Sequence, residues 1–133
     1  MRNCFETKRA IVFDFDGVLL ESTSVKKWAF GELYKKYGKQ VQEKVIEYQK
    51  NNGGINRIEK FKYFHKNFLN QELLDSDIRR LSDEFRELTI SELKKSKISP
   101  FAIDVLLILK KRGFLLYCVS ASPLKELIEI LEY

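Results

Sequence analysis

Proline, cysteine and histidine are nearly missing from this sequence, with two, two and one among 133 residues. Two cysteines, Cys4 and Cys118, build neither a disulfide framework nor a metal-ligand spacing, so both are expected as thiols in a reducing compartment. The lone histidine, His65, has no second histidine or cysteine to share a metal with, and its expected place is ordinary helix packing. Long apolar runs are missing too. The longest, 105–109 and 114–119, fall far short of the about 20 residues a membrane-spanning helix needs. The first nine residues, MRNCFETKR, lack the apolar core of a secretory signal, which makes the cytoplasm the expected address. With 44% hydrophobic and 32% charged residues, the composition excludes a disordered or fibrous chain. The length allows one domain or two small units.

Apolar periodicity changes along the chain. Ala10-Ile11-Val12-Phe13 is a short continuous apolar run that stops at Asp14-Phe15-Asp16-Gly17, and Phe114–Val119 is a second, stopping at Ser120-Ala121-Ser122-Pro123. Such runs predict strands buried on both faces of a parallel sheet. A helix is predicted before the second strand, capped by Ser99, with Pro100 at its first position, Phe101–Arg112 as its body and Gly113 as its left-handed exit. Ser122-Pro123 repeats the start signal for a last helix over 124–132, with Leu124, Leu127, Ile128 and Leu131 on one face.

Between these segments, residues 22–98 read as helical throughout. Val25, Trp28, Ala29, Leu33 and Tyr37 stripe one helix ending at Gly38; Val41, Val45, Ile46 and Tyr48 stripe a second, ended by Asn51-Asn52-Gly53-Gly54. Ile55, Ile58, Phe61, Phe64 and Phe68 mark a third. Ile78, Leu81, Phe85 and Leu88 mark a fourth, with Asp75 or Ser76 as its cap. Four amphipathic helices on short loops predict a small bundle. The expected division is therefore an α/β unit from 1–21 and 99–133, with a helical insertion over 22–98. The insertion holds 17 basic and 11 acidic residues, so it carries the whole positive excess of a chain whose net charge is +5.

Chemistry concentrates in Asp14-Phe15-Asp16-Gly17. Two carboxylates at the carboxyl end of a buried strand lie where open α/β sheets hold ligands. Gly17 lets the backbone turn at once, so that Asp16 faces the same side as Asp14. Two neighbouring anions repel unless a cation or a shared proton compensates, and an oxygen-only site with few carboxylates suits Mg²⁺ completed by water and substrate phosphate. The plain reading of the same residues is a strand-end turn in which an aspartate bonds its own backbone.

The segment Ile11-Val12-Phe13-Asp14-Phe15-Asp16-Gly17-Val18-Leu19-Leu20-Glu21-Ser22 resembles the first signature of the haloacid dehalogenase superfamily of phosphohydrolases. Val119-Ser120-Ala121-Ser122-Pro123 resembles its second, and the helical insertion is similar to that family's first-position cap. Gly53-Gly54-Ile55-Asn56-Arg57-Ile58-Glu59-Lys60-Phe61 is more loosely similar to the cap of a phosphoglycolate-phosphatase-like subgroup. The resemblance implies a partial Rossmann-like core with parallel strands and an inserted all-α cap. It also implies Asp14 as nucleophile, Asp16 as general acid and base, and Ser120 with the Ala121 N–H and Gly17 about the phosphoryl group. Mg²⁺ would then sit on the Asp14 carboxylate and the Asp16 carbonyl, with a small phosphorylated metabolite as substrate. An acid at position 16 suits an alkoxide leaving group, which needs a proton, and not a halide, which needs none.

A later lysine and later acidic residues belong to the same resemblance. After Ser120 the sequence offers only Lys125, Glu126, Glu129 and Glu132, all on the predicted last helix. The chain is therefore expected to be the N-terminal portion of a phosphatase with an incomplete site, an unpaired sheet edge and marginal stability. Arg57 and Lys60, on the third helix beside the Gly-Gly turn, are candidates to grip an anionic substrate, against the plain reading of a solvated helix face. Ser122 is read as a cap, and Trp28 with the Phe61, Phe64 and Phe68 stripe as bundle core. The alternative is a non-catalytic basic helical module for nucleic acid or a protein partner. Its basic residues, however, alternate with acidic ones and match no nucleic-acid motif.

Overall fold

The structure, a computed structural model, describes residues 10–133. Cys4 and the reading of the first nine residues as lacking a signal lie outside the described residues. Contacts divide the chain into two units, one formed by residues up to Glu21 with Ser96–Ser120, the other by Ser22–Lys95 with Ala121–Tyr133.

The first unit contains β1 (Ala10–Asp14), α5 (Ala102–Lys111) and β2 (Leu115–Val119), with helices numbered along the whole chain. The two strands pair in parallel, Ala10 opposite Leu115 through Asp14 opposite Val119. Gly113, at φ 82°, turns the chain from α5 into β2, as its sequence position predicts. Burial on both faces is not observed. The face carrying Val12, Leu115, Tyr117 and Val119 leaves each of them more than half exposed, and α5 buries no residue. A two-stranded parallel sheet has too few neighbours among the described residues of this unit to cover it. The start of α5 also differs from expectation. Ser99 closes a turn by accepting from the Ala102 N–H at 3.1 Å, and Phe101 takes a left-handed φ of 63°. A residue in that conformation cannot extend a right-handed helix backwards, so the helix begins after it and Pro100 stays outside.

The second unit contains α1 (Thr23–Tyr34), α2 (Lys39–Asn51), α3 (Arg57–Phe64), α4 (Asp75–Lys94) and α6 (Leu124–Leu131). Its core is aromatic. Phe30 meets the rings of Phe61, Phe64 and Phe85 at 5.9, 5.8 and 4.5 Å, and Ala29, Leu33, Tyr34, Val45 and Leu81 complete the buried cluster. Edge-to-face and tilted ring pairs of this kind add to the area they bury. Gly31 is the contact point of α1 with α2, since a Cβ there would lie 2.9 Å from Ile46 Cδ1. Asn56 caps α3, its Oδ1 accepting from the Ile58 N–H at 2.8 Å. The chain then widens into a π turn, His65–Leu69, which accommodates Phe68 against Phe64. The start of α4 corrects the sequence reading. Leu74 occupies the cap position, and Asp77 reaches back to accept from its N–H at 3.2 Å, so neither Asp75 nor Ser76 serves. Residues 121–133 group with this helical unit, where the sequence reading puts them with the strands.

Candidate functional site

β1 ends at Asp14, paired in register with Val119 of β2. The Asp14 side chain is exposed, and its Oδ1 accepts from the Phe15 N–H at 2.7 Å. The local turn bond of the plain reading is thus present, beside whatever else the carboxylate does. Phe15 anchors the turn: it is 3% exposed, and its N–H also donates to the Val119 carbonyl at 3.2 Å. Its own carbonyl accepts from the Leu19 and Leu20 N–H groups, both at 3.0 Å. The chain after Asp14 therefore wraps around a single buried carbonyl. Gly17 makes that wrap possible with a φ of 77°, and its N–H donates to the Leu20 carbonyl at 2.7 Å. Leu20 is buried and bridges to both Asp16 and Ile98. Hydrogen bonds from Glu21 to Lys97 and from Ser99 to Leu19, at 2.9 and 3.0 Å, tie the loop down.

This wrap turns half-buried Asp16 toward the end of β2, where Ser120 Oγ donates to Asp16 Oδ2 at 3.1 Å. A carboxylate and a hydroxyl separated by 104 positions in sequence thus meet at the carboxyl ends of the two strands. The neighbouring Cys118 thiol is pushed above its ordinary pKa by burial, with the negative charges of Asp14 and Asp16 adding to the effect. Cys118 is consequently a protonated thiol at neutral pH, not a thiolate nucleophile. Ala121 is exposed in the loop after β2.

The remaining candidates lie in the helical unit and have internal partners there. Lys60 is 2% exposed. Its Nζ donates to Gln49 Oε1 at 2.6 Å and to the Gly53 carbonyl at 3.2 Å, and it lies 5.4 Å from the Phe30 ring centroid. This lysine fastens the Gly-Gly turn to α3; the solvated helix face and the outward grip on an anion both give way to that internal role. Arg57 pairs with the Glu126 carboxylate, donates to the Ser82 carbonyl at 3.5 Å and stacks over Phe85 at 5.0 Å. His65 is buried, its ring edge-on to Tyr34 and Tyr37, which matches helix packing. Ser122 does not cap α6; its Oγ accepts from Lys26 Nζ at 2.7 Å. Many basic residues of the unit stand against acidic ones, as Lys36 and Arg80 do against Glu84, so no bare basic stripe supports the nucleic-acid alternative.

Sequence reasoning missed Phe15, Leu20 and Lys26. The first two carry a readable signal, since an apolar residue inside a polar turn must be buried somewhere. Lys26 carries none, because one lysine in an amphipathic helix looks like any other.

Comparison with known proteins fits this geometry. A family model described as haloacid dehalogenase-like hydrolase matches residues 8–133. No curated protein matches the chain. Among solved structures, a hydrolase from Pseudomonas syringae is similar at 17% identity with a TM-score of 0.75, over 94% of this chain and 55% of that one. A β-phosphoglucomutase from Clostridium difficile is similar at 22% identity and a TM-score of 0.73, over 95% and 56%. A family IA haloacid dehalogenase hydrolase from Entamoeba histolytica is similar at 23% and 0.70, over 93% and 54%. The chain thus spans about half the length of these structures, and at such identities they speak for the fold. A two-strand parallel α/β unit with a helical insertion, the Asp-Phe-Asp-Gly turn at its strand end, and a family match running from residue 8 to residue 133 lead to one assignment: the chain belongs to the haloacid dehalogenase-like hydrolases.

Proposed function

We propose that these residues form part of a phosphohydrolase for small phosphorylated metabolites, working through an aspartyl-phosphate on Asp14. The observation that carries this reading is the meeting of Asp16 with Ser120 beside the end of the strand that bears Asp14. In this scheme Asp14 attacks phosphorus and takes the phosphoryl group. Asp16 gives its proton to the departing alkoxide and then accepts one from the water that cleaves the acyl phosphate. The Ser120 hydroxyl and the Ala121 N–H hydrogen-bond phosphoryl oxygens, while Gly17 keeps the turn compact enough for both carboxylates to serve one ligand. A phosphorylated sugar is a natural substrate class, given a β-phosphoglucomutase among the similar structures.

The donor set fits a hard cation. Asp14 and Asp16 offer two carboxylates and a backbone carbonyl, and among the described residues no group of three or more His, Cys, Asp or Glu side chains gathers here or anywhere else, so the site supplies few protein ligands of its own. Mg²⁺ bound there would take its other ligands from water and phosphate and would offset charge between nucleophile and substrate. The lysine and later acidic residues of the family pattern are not supplied by 124–132. Lys125 is exposed, and Glu126 and Glu129 are engaged by arginines of the helical unit. Phosphate release by these 133 residues alone is therefore expected to be slow.

The test is a titration of the chain with magnesium and orthophosphate, followed by the NMR shifts of the Phe15, Asp16, Gly17, Ser120 and Ala121 amides. Saturable shifts that vanish in Asp14→Asn and shrink in Ser120→Ala are expected. Equal shifts in Asp14→Asn would remove the nucleophile and metal assignment. Release of phosphate from p-nitrophenyl phosphate, lost in the same variant, is the catalytic counterpart.

A further inference from the structure

The helix that follows Ser120 and Ala121 is held in an unusual way. α6 has one buried side chain, and it is a glutamate, Glu126. Its apolar residues are left outside: Leu124 is 72%, Ile128 45% and Leu131 67% exposed, with Leu127 and Ile130 half-buried. Apolar burial normally decides which face of an amphipathic helix turns inward. Here charge decides. Glu126 pairs with Arg57, both side chains nearly buried at 12% and 11% exposure. Glu129 takes Arg86 at 2.6 Å on one oxygen and Lys94 at 3.0 Å on the other. Two residues before the helix, Ser122 accepts from Lys26 Nζ at 2.7 Å. Basic residues from α1, α3 and α4 thus converge on a stretch of eight residues.

We propose that α6 is an ionic strap, fastened to the helical unit by these charges and detachable as a unit when they are screened or removed. Glu129 agrees with this: its hydrogen bonds to Lys94 and Arg86 hold its carboxyl below the usual carboxylate range. A helix fixed by apolar packing would respond little to salt, whereas the Glu129 pairs, with about a third of that side chain exposed, are screened by it, and the nearly buried Arg57–Glu126 pair much less. Arg57 is positioned for the strap by its stacking on Phe85 and its bond to the Ser82 carbonyl, which leaves its planar fork ready for a carboxylate.

Hydrogen exchange on the whole chain tests it. In low salt the amides of 127–131 are expected to be protected, and raising NaCl to 1 M is expected to lower their protection about tenfold while those of α1 to α4 hold. The double variant Glu126→Gln/Glu129→Gln is expected to exchange at the high-salt rate in low salt and to ignore further salt. Adding Arg86→Glu to Glu129→Arg is expected to restore part of the protection that Glu129→Arg alone loses, since it rebuilds one pair with reversed sign while Lys94 still faces a like charge. Unchanged protection of α6 in high salt and in the double variant would overturn the strap. None of these readouts depends on phosphate or magnesium, so failure of the strap and failure of the phosphatase reading are separate results.

Discussion

The two units of this chain stand in contrast by what they bury. The helical unit closes around nine buried side chains from Ala29 to Phe85, four of them phenylalanines. Among the described residues, the α/β unit buries Phe15 and Leu20, both in the loop that carries Asp16, and leaves the apolar face of its sheet and most of α5 exposed. The unit that contributes the candidate chemistry is the one whose described residues form almost no interior. A loop can be held in a functional shape by hydrogen bonds around one buried residue, yet a sheet needs cover on both faces to be stable. Stability and site geometry are thus supplied by different parts of the molecule.

The largest effect is expected from emptying the closed core. Phe61 is fully buried between Phe30 and Phe85, so Phe61→Ala should cost about 3–5 kcal/mol of helical-unit stability. Urea unfolding followed by helical circular dichroism measures this. A loss under about 1 kcal/mol would mean that the helical unit is no better packed than its neighbour. The matching change in the α/β unit is Phe15→Ala. It should release the amides of Gly17, Leu19 and Leu20 to exchange and weaken the Asp16–Ser120 contact, while the helical unfolding midpoint stays where it was.

A third expectation uses acid to separate the units. His65 is buried, and burial holds its pKa below the ordinary value. Asp77 and a side-chain hydrogen bond with Gln71 pull the other way, while Arg80 and Lys36 reinforce the depression. The unfolded chain therefore binds the proton more readily than the folded one. Stability is flat above the unfolded value of about 6.5 and falls as pH drops through it toward the folded pKa. Unfolding midpoints at pH 7.5 and 5 should differ in the natural chain, and the difference should shrink in His65→Phe. An identical pH slope in both proteins would put the acid sensitivity elsewhere.

Much of this contrast is legible in the sequence, and the illegible part has physical reasons. The Val25, Val45, Phe61 and Leu81 stripes mark helices because burial repeats with the helical period, and the unit they build is self-contained. Asp14, Asp16 and Gly17 are readable because few structures other than a ligand-bearing strand end place two anions and a glycine behind an apolar run. The exposure of Val12 and Tyr117 is not readable, since an apolar run records what a strand is built to bury and not what covers it. Nor is the true cap of α4. Asp75 and Ser76 are both good caps on paper, and only the backbone path puts Leu74 at the cap position with Asp77 reaching back to its N–H. The internal role of Lys60 escapes as well: a lysine reads as solvated until a carbonyl and an amide are found around its Nζ.

The smallest effect sharpens the comparison from the other side. Tyr117 is 54% exposed on the open face of β2, where its ring buries little against Val12 opposite it in register. Tyr117→Ser should change unfolding stability by no more than about 0.5 kcal/mol, because there is little buried area to lose. It should, however, raise the concentration at which the chain stays monodisperse, since a flat apolar strand face invites association. Light scattering against concentration reads the second effect and denaturant unfolding the first. A loss of about 2 kcal/mol or more would show that the face is covered in solution, and the contrast between a closed and an open unit would no longer hold.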